Sequence, residues 1–292
     1  MFLIVRSFAL TNSGTRSHSG FNYNKNGRDW NIKGGQRQSP IALCKYNATT
    51  SYVPKLELIN YHKLLCDPLS VINVGPTVLM RIPKTVEDEQ PAVCISTEDG
   101  HIFEAQQLHF HWGSEQSRGS EHNLDGKFYD GEMHIVHKNA TYKTNNEAGR
   151  QPNGFAVLAI MLRNLKPELF KPPENESVAL NEIFNQVSEI SAVESAKHLE
   201  KSMALKYLFG GMDTDRYLSY QGSLTTPPCA EAVIWFVFQT PIDIPQELWQ
   251  NFWQLRNSHG QRVLNTYRIL QDDHNRPVYL SESKRISIAS EI

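Results

Sequence analysis

Runs of apolar residues along this chain predict a fold dominated by β-strands. Short segments rich in Val, Ile, Phe and Trp are separated by turn residues, which is typical of strands in a packed sheet. The predicted strands are residues 102–112, 131–137, 155–163 and 232–240, with a further candidate at 71–82 that Gly75 and Pro76 interrupt. Helical spacing of apolar residues predicts a helix over 177–188, and Pro245 at a first turn predicts another over 245–256. The pattern therefore indicates one sheet-dominated, mainly-β (α+β) domain with short helices packed around it.

Composition is that of a chain with one large core. The 292 residues are 40% apolar, and a domain of this length buries roughly three-quarters of its unfolded surface. Lys and Arg number 29 against 31 Asp and Glu, without a long run of either sign. This balance argues against nucleic acid or a membrane surface as the main partner. The longest apolar runs, 155–162 and 232–238, are too short to span a membrane, so we expect no transmembrane segment.

The ends of the chain and its sequons bear on its location. The predicted divisions are an N-terminal extension at 1–20, a domain at 21–280 and a C-terminal tail at 281–292. The extension resembles a partial signal peptide whose apolar run is broken by Arg6, and no apolar lipid-anchor signal follows Ser281. Three Asn-x-Ser/Thr sequons occur, at Asn47, Asn139 and Asn175. We expect a secreted, extracellular protein, with a cytoplasmic one as the alternative, and a monomer as the default state.

The most informative local pattern is a pair of histidines on one predicted strand and a third on the next. Side chains alternate between the faces of a strand, so His109 and His111 share a face, and His134 joins them if the strands are neighbours. Gln107 and Glu132 each stand two residues before a histidine on the same face, where they can fix its orientation. Three nitrogen ligands leave one tetrahedral position open, which favours a catalytic zinc site.

Two other interpretations of these histidines are open at this point. Histidines on a strand are often ordinary half-buried polar residues without a ligand role. His109 and His111 with Glu115 also fit a cupin metal motif, which would imply iron or manganese and oxygen chemistry. Neither interpretation accounts for the segments described next.

Separated motifs, in order along the chain, resemble the α-class (eukaryotic-type) carbonic anhydrases. They are Gln38-Ser39-Pro40-Ile41, His109-Phe110-His111-Trp112-Gly113-Ser114, Gly119-Ser120-Glu121-His122 and Gly222-Ser223-Leu224-Thr225-Thr226-Pro227-Pro228. The resemblance runs from about Phe21 to Tyr279. It implies a large, twisted, mostly antiparallel central sheet, and zinc-dependent reversible hydration of CO2 to bicarbonate and a proton by metal-hydroxide attack.

The resemblance also assigns roles to individual residues. His109, His111 and His134 match the zinc ligands, and Thr225 with Glu121 match a hydroxyl–carboxylate pair that orients the hydroxide. The residues matching the substrate pocket are Val136, Val157, Leu224, Val233, Trp235 and Thr226. CO2 is uncharged, so an apolar niche suits it as the small-molecule partner.

Departures from the family concern the proton and the cysteines. Pro76 occupies the position of the proton-shuttle histidine, and Val74 and Leu79 are apolar where fast members are polar. We therefore expect an enzyme limited by proton export, unless His18, His62 or Tyr23 replaces the shuttle.

The four cysteines, Cys44, Cys66, Cys94 and Cys229, are few for a disulfide scaffold. Cys229 matches one half of a disulfide found in secreted members, but no cysteine stands near Lys33 to pair with it, so we expect Cys229 to be free. A catalytically silent binding module on the same fold is the alternative function, against which the intact ligands argue.

Overall fold

The computed structural model describes residues 21–32, 34–87, 89–96, 100–166 and 178–282. The predicted N-terminal extension, including His18, lies outside the described residues, as do the Asn175 sequon and most of the C-terminal tail. The predicted division at residues 20 and 280 therefore stays a prediction.

Strands dominate the described residues. They are, in chain order, β1 (Ala42–Leu43), β2 (Leu56–Ile59), β3 (Ser70–Asn73), β4 (Val78–Arg81), β5 (Val93–Ser96), β6 (His101–Trp112), β7 (Asn123–Leu124), β8 (Gly131–Asn139), β9 (Phe155–Leu165), β10 (Ala196–His198), β11 (Tyr217–Gly222), β12 (Val233–Phe238), β13 (Ile242–Pro245) and β14 (Tyr279–Ser281). The α-helices are α1 (Asn145–Ala148), α2 (Val178–Gln186) and α3 (Gln246–Trp253). Short 3-10 turns lie at Lys45–Asn47, Val187–Glu189 and Leu205–Leu208.

The long predicted strands are confirmed as β6, β8, β9 and β12, with shifts of a few residues at their ends. The interrupted candidate forms two strands, β3 and β4, joined by a turn in which Gly75 has φ +97°. A positive φ is easy for glycine and costly for other residues. The position predicted for Pro245 is wrong: it ends β13 and precedes α3 instead of lying in the first helical turn. Pairing with the end of β9 keeps this proline extended.

Most strands join one mixed sheet of twelve described strands. Its main path runs β10-β3-β4-β6-β8-β9-β12-β11-β14, while β13 pairs with β9, and β5 links β2 to β6. Only the pairings of β9 with β12 and with β13 are parallel within this described sheet; the rest are antiparallel. The predicted mainly-β class and mostly antiparallel sheet are confirmed.

The two faces of the sheet are covered differently. On one face, Phe110 of β6 packs edge-on against Phe184 of α2 and Phe252 of α3, at centroid distances of 5.6 and 5.4 Å. Helix α3 buries Trp249, Phe252 and Trp253 at helical spacing. Gly131 on β8 makes room for this packing, because a Cβ there would lie 2.6 Å from the Trp249 ring. The helices thus occupy one face, and His109 and His111 point to the other. Within the described residues, no helix has the length and apolarity to cross a membrane.

Candidate metal centre

The register of β6 and β8 brings the three histidines together. His109 lies directly opposite His134 in this antiparallel pair, and His111 lies opposite Glu132. One nitrogen from each of the three histidines falls in a group whose members all lie within 4.8 Å of one another. The ring centroids of His111 and His134 are 4.6 Å apart, and each lies 5.1 Å from that of His109. All three side chains are buried, at 5%, 1% and 1% exposure.

A hydrogen bond fixes the tautomer of each ring. His109 Nδ1 donates to Gln107 Oε1 at 3.0 Å, and His134 Nε2 donates to Glu132 Oε1 at 2.7 Å. His111 Nδ1 donates to the Thr266 carbonyl at 2.6 Å. Because these oxygens can only accept, each ring carries its proton on that nitrogen, and its second nitrogen keeps a lone pair.

Burial keeps the three rings neutral. It lowers the pKa of His109 well below its ordinary value, lowers the pKa of His111 to about 4, and lowers the pKa of His134 as well. His111 Nε2 is buried without a hydrogen-bond partner among the described residues. An unpartnered buried nitrogen is costly, and three neutral imidazoles with free lone pairs are a donor set that suits a tetrahedral zinc ion with one open position. The residues present therefore fit zinc.

Glu132 holds this arrangement with both of its oxygens. Its Oε1 accepts from His134 and from His122 Nδ1, each at 2.7 Å, and its Oε2 accepts from the backbone N–H groups of Glu121 and His122, each at 2.8 Å. Burial alone would raise the pKa of Glu132, but the charge and hydrogen bonds of His122 with the bond from His134 bring it well below its usual range. Glu132 is therefore a buried carboxylate with four donors around it.

Glu121 and Thr225 lie beside the histidines. The backbone N–H of Arg268 donates to Glu121 Oε1 at 2.7 Å, while Oε2 lies 3.4 Å from His111 Nε2. Burial raises the pKa of Glu121 to about 7, and interaction with the nearby Thr225 hydroxyl lowers it in part. Thr225 is itself buried, at 4% exposure, in the loop after β11. The sequence-predicted pair is thus brought together at the edge of the histidine cluster.

The predicted apolar wall forms on the neighbouring strands. Val136 of β8, Val157 of β9 and Trp235 of β12 lie side by side in register with Gln107 of β6. The Trp235 ring stands 4.9 Å from that of His134. Three other residues were predicted to line the substrate pocket. Val233 lies two residues before Trp235 on β12 and is buried in the same apolar cluster as Val136 and Val157. Leu224 is partly buried against this cluster, and Thr226 is buried.

The position assigned to a proton shuttle holds the buried ring of Pro76 in the turn between β3 and β4. Leu79 of β4 lies directly opposite His109. Tyr23 stands edge-on to His111 at 6.4 Å, and its burial raises its pKa well above the ordinary value. Neither Pro76 nor Tyr23 can therefore accept a proton near neutral pH.

Other histidines near the site in sequence have structural surroundings. His137 lies on the opposite face of β8, where its Nε2 lies 2.5 Å from the hydroxyl of Tyr61 and its Nδ1 donates to the Ala156 carbonyl at 3.2 Å. His62 lines a surface groove of about 350 Å³ together with Tyr61, whose hydroxyl contacts His137 on the face of the sheet opposite the metal centre.

The cupin interpretation is wrong for this fold. Glu115 is exposed beyond the end of β6 and is absent from the group of buried potential ligands. Cys229 is free and buried, as expected from its missing partner. Cys44 and Cys66 are also free. The side chain of Cys94 lies outside the described ones.

Three residues that the sequence interpretation missed complete the site. The Thr266 carbonyl orients His111, the Arg268 backbone N–H binds Glu121, and the Tyr220 hydroxyl lies 2.7 Å from His122 Nε2. Thr266 and Arg268 act through backbone atoms, for which their side chains give no signal.

Comparisons with known proteins agree with this geometry. A family model described as eukaryotic-type carbonic anhydrase matches residues 23–282. Human carbonic anhydrase 6 is 33% identical over 261 residues, covering 84% of this chain and 75% of that protein. Mouse carbonic anhydrase 7 is 33% identical over 223 residues, covering 76% and 78%. Mouse carbonic anhydrase 15 is 34% identical over 213 residues, or 72% of this chain, and the chain spans 63% of its length.

Proposed function

This chain belongs to the eukaryotic-type carbonic anhydrase family, and from that premise we propose that it binds zinc and catalyses the reversible hydration of CO2 to bicarbonate and a proton. His109, His111 and His134 would hold the metal. The observation that carries the proposal is their convergence as neutral rings, each with its second nitrogen held by an acceptor and its lone pair free. The family's reaction is CO2 hydration; that this member performs it is the proposal.

A zinc ion at such a site supplies an activated water, since zinc lowers the pKa of its bound water to about 7 in carbonic anhydrase, a value quoted for the family and not worked out from this structure. The protein's part is to orient what occupies the open position. Glu121 Oε2 has no hydrogen-bond donor among the described residues, so Thr225 can donate its hydroxyl proton there. Thr225 then offers only a lone pair to the open position, which favours a ligand that itself carries a proton.

The apolar wall would hold the uncharged substrate. The side chains of Val136 and Val157 carry no hydrogen-bonding group, and the indole N–H of Trp235 is already occupied, because it donates to the Ser223 carbonyl at 3.1 Å. CO2 gains little from polar groups, and an apolar niche beside the nucleophile positions it without binding it tightly.

Export of the proton would limit the rate. The buried ring of Pro76 carries no titratable group, and Leu79 leaves the wall beside His109 without a polar group. Transfer from a donor with a pKa near 7 directly to water is uphill by roughly 9 pKa units, or about 12 kcal/mol, which limits turnover to ~10⁴ per second. The best carbonic anhydrases reach about 10⁶ per second. We therefore expect a slower enzyme whose turnover rises with buffer concentration.

Stopped-flow CO2 hydration at several buffer concentrations, before and after zinc removal by a chelator, tests the proposal. We expect activity that is lost with the metal, regained on adding zinc, and buffer-dependent. Pro76→His should raise turnover in dilute buffer, and Pro76→Ala is the matched control that removes the ring without adding a base. Absence of hydration by zinc-loaded protein would refute the function. Fast turnover that is independent of buffer would refute the limit at Pro76.

We also propose an extracellular location. It is supported by the N-terminal pattern and by the exposure of Asn47, the acceptor of the first sequon. Retention of an epitope-tagged chain inside secretory cells would contradict it.

A further inference from the structure

An exposed arginine, Arg81, stands on the metal face close to the histidines. Arg81 of β4 lies directly opposite Gln107 of β6, and Leu79, two residues earlier, lies opposite His109. Directly opposed residues in antiparallel strands point to the same face. Arg81 is therefore on the face of the metal centre. Arg81 and His109 are diagonal neighbours on this face, and the Cα atoms of such a pair lie about 7–8 Å apart.

The charge of Arg81 is not neutralised nearby. Its side chain is exposed, and no carboxylate in the described part of the chain forms an ion pair with it. The closest acid on the same face of β6 is Glu104, which lies directly opposite Lys138 of β8. The formal charges of Glu104 and Lys138 sum to zero, so Arg81 adds one net positive charge to this part of the face.

The other side of the site cannot compensate. It consists of the apolar residues Val136, Val157 and Trp235. The carboxylates deeper in the site, Glu121 and Glu132, are buried at 1% and 0% exposure, and the donors around Glu132 offset its charge. Arg81 is therefore an exposed cation on the metal face, and the carboxylates of the site are buried beneath it.

We propose that Arg81 is a specificity-determining residue that draws anions to the metal centre, so that anionic buffers of the phosphate class are this protein's preferred proton acceptors. The proposal rests on the proposed function, because a proton acceptor matters only if hydration releases a proton. With proline at position 76, the acceptor has to come from solution. A dianion gains more from the guanidinium than a neutral base of similar pKa does.

Coulomb's law sets the expected size. At about 8 Å in water, and at low ionic strength, one positive charge favours a monoanion about twofold and a dianion about fourfold. Arg81→Gln removes this advantage, Arg81→Lys keeps it, and Arg81→Glu reverses it. Because Arg81 is exposed, these variants are expected to fold.

A binding experiment tests the charge without using turnover. Cobalt(II)-loaded protein is titrated with thiocyanate and, at pH 8.5, with neutral imidazole, and the visible spectrum is followed. We expect the thiocyanate Kd to rise about twofold in Arg81→Gln and about fourfold in Arg81→Glu, with no change in Arg81→Lys or with imidazole. The differences should shrink in 0.5 M salt. Thiocyanate affinities that are equal in all four proteins would overturn the proposal.

A kinetic experiment then tests the buffer. The second-order rate constants for acceleration of CO2 hydration by phosphate and by imidazole are compared in zinc-loaded proteins. Their ratio should fall about fourfold in Arg81→Gln and be restored in Arg81→Lys. An equal fall with both buffers would indicate a merely structural role and overturn the proposal. If native protein does not hydrate CO2 at all, the proposed function is wrong, and the thiocyanate titration still decides whether Arg81 attracts anions.

Discussion

Replacing Glu132 by glutamine should impair zinc binding through the tautomer of His134. An amide has one accepting oxygen, whereas the two Glu132 oxygens accept from four N–H groups. The backbone N–H groups of Glu121 and His122 can only donate, so the amide oxygen has to face them. The amide NH2 then faces His134 Nε2, which has to accept instead of donate. The His134 proton would move to Nδ1, the nitrogen left for the metal.

The expected size follows from the bonds that change. Two hydrogen bonds to a carboxylate, worth about 1.5–3 kcal/mol each, become bonds to a neutral amide worth about 0.5–1.5 kcal/mol each. The difference is about 2–3 kcal/mol. It agrees with the roughly 10- to 100-fold loss of metal affinity known for partners of metal-bound histidines, a range taken from such proteins, carbonic anhydrase among them, and not from this structure.

Competition with a chromogenic chelator measures the zinc Kd of the native protein and the variant. The matched control is Gln107→Glu, which also exchanges an amide and a carboxylate but leaves an acceptor for His109 Nδ1, so its zinc affinity should not fall. A Glu132→Gln affinity within twofold of native would refute the tautomer argument. An equal loss in both variants would indicate general disruption of the site.

Three further predictions concern stability, reactivity and modification. Burial lowers the pKa of His137 from 6.5 to about 4, so His137 should contribute about 3 kcal/mol to the fall in unfolding free energy between pH 6.5 and pH 4; urea unfolding should show a fall smaller by about that amount in His137→Gln. Burial raises the pKa of the Cys229 thiol to about 11, so iodoacetamide at pH 8 should alkylate it ~100-fold more slowly than free cysteine, as peptide mass spectrometry would show. In secretory cells, site-resolved mass spectrometry should find a glycan on exposed Asn47 and none on Asn139, which is 1% exposed and donates to the Asn153 carbonyl; glycosylated Asn139 in folded protein would contradict the structure.

The histidine cluster could be predicted from sequence because it depends on local rules. Alternation along β6 and β8 sets the faces of His109, His111 and His134, and the apolar runs identify the strands that carry them. What neighbours the cluster in space depends on distant segments. The Thr266 carbonyl is 155 positions from the ring that it orients, and the Arg268 N–H is 147 positions from Glu121. Backbone partners at such separations leave no pattern in the sequence around the histidines.

Strand β6 contains a β-bulge, which a strict alternation of faces along the strand does not predict. Between Ala105 and Gln107 the pairing of β6 with β8 shifts, so that Gln106 is an extra residue. Phe103 and Ala105 point into the helix-covered core before this bulge, and Leu108, Phe110 and Trp112 do so after it. The bulge therefore exchanges the faces of odd- and even-numbered residues.

Without the bulge, strand β6 could not place its first apolar residues in the core and its histidines on the metal face at the same time. If Phe103 and Ala105 kept their core positions, His109 and His111 would point among the helices, where no partner strand offers His134. The extra residue is accommodated locally: the Gln106 carbonyl accepts from the Ile82 N–H at 3.0 Å, and its side chain donates to the Glu104 carbonyl at 3.0 Å. The position of the metal centre thus depends on one inserted residue as much as on the histidines themselves. The insertion can be seen in the sequence, because the core-facing apolar residues of β6 are odd-numbered before Gln106 and even-numbered after it.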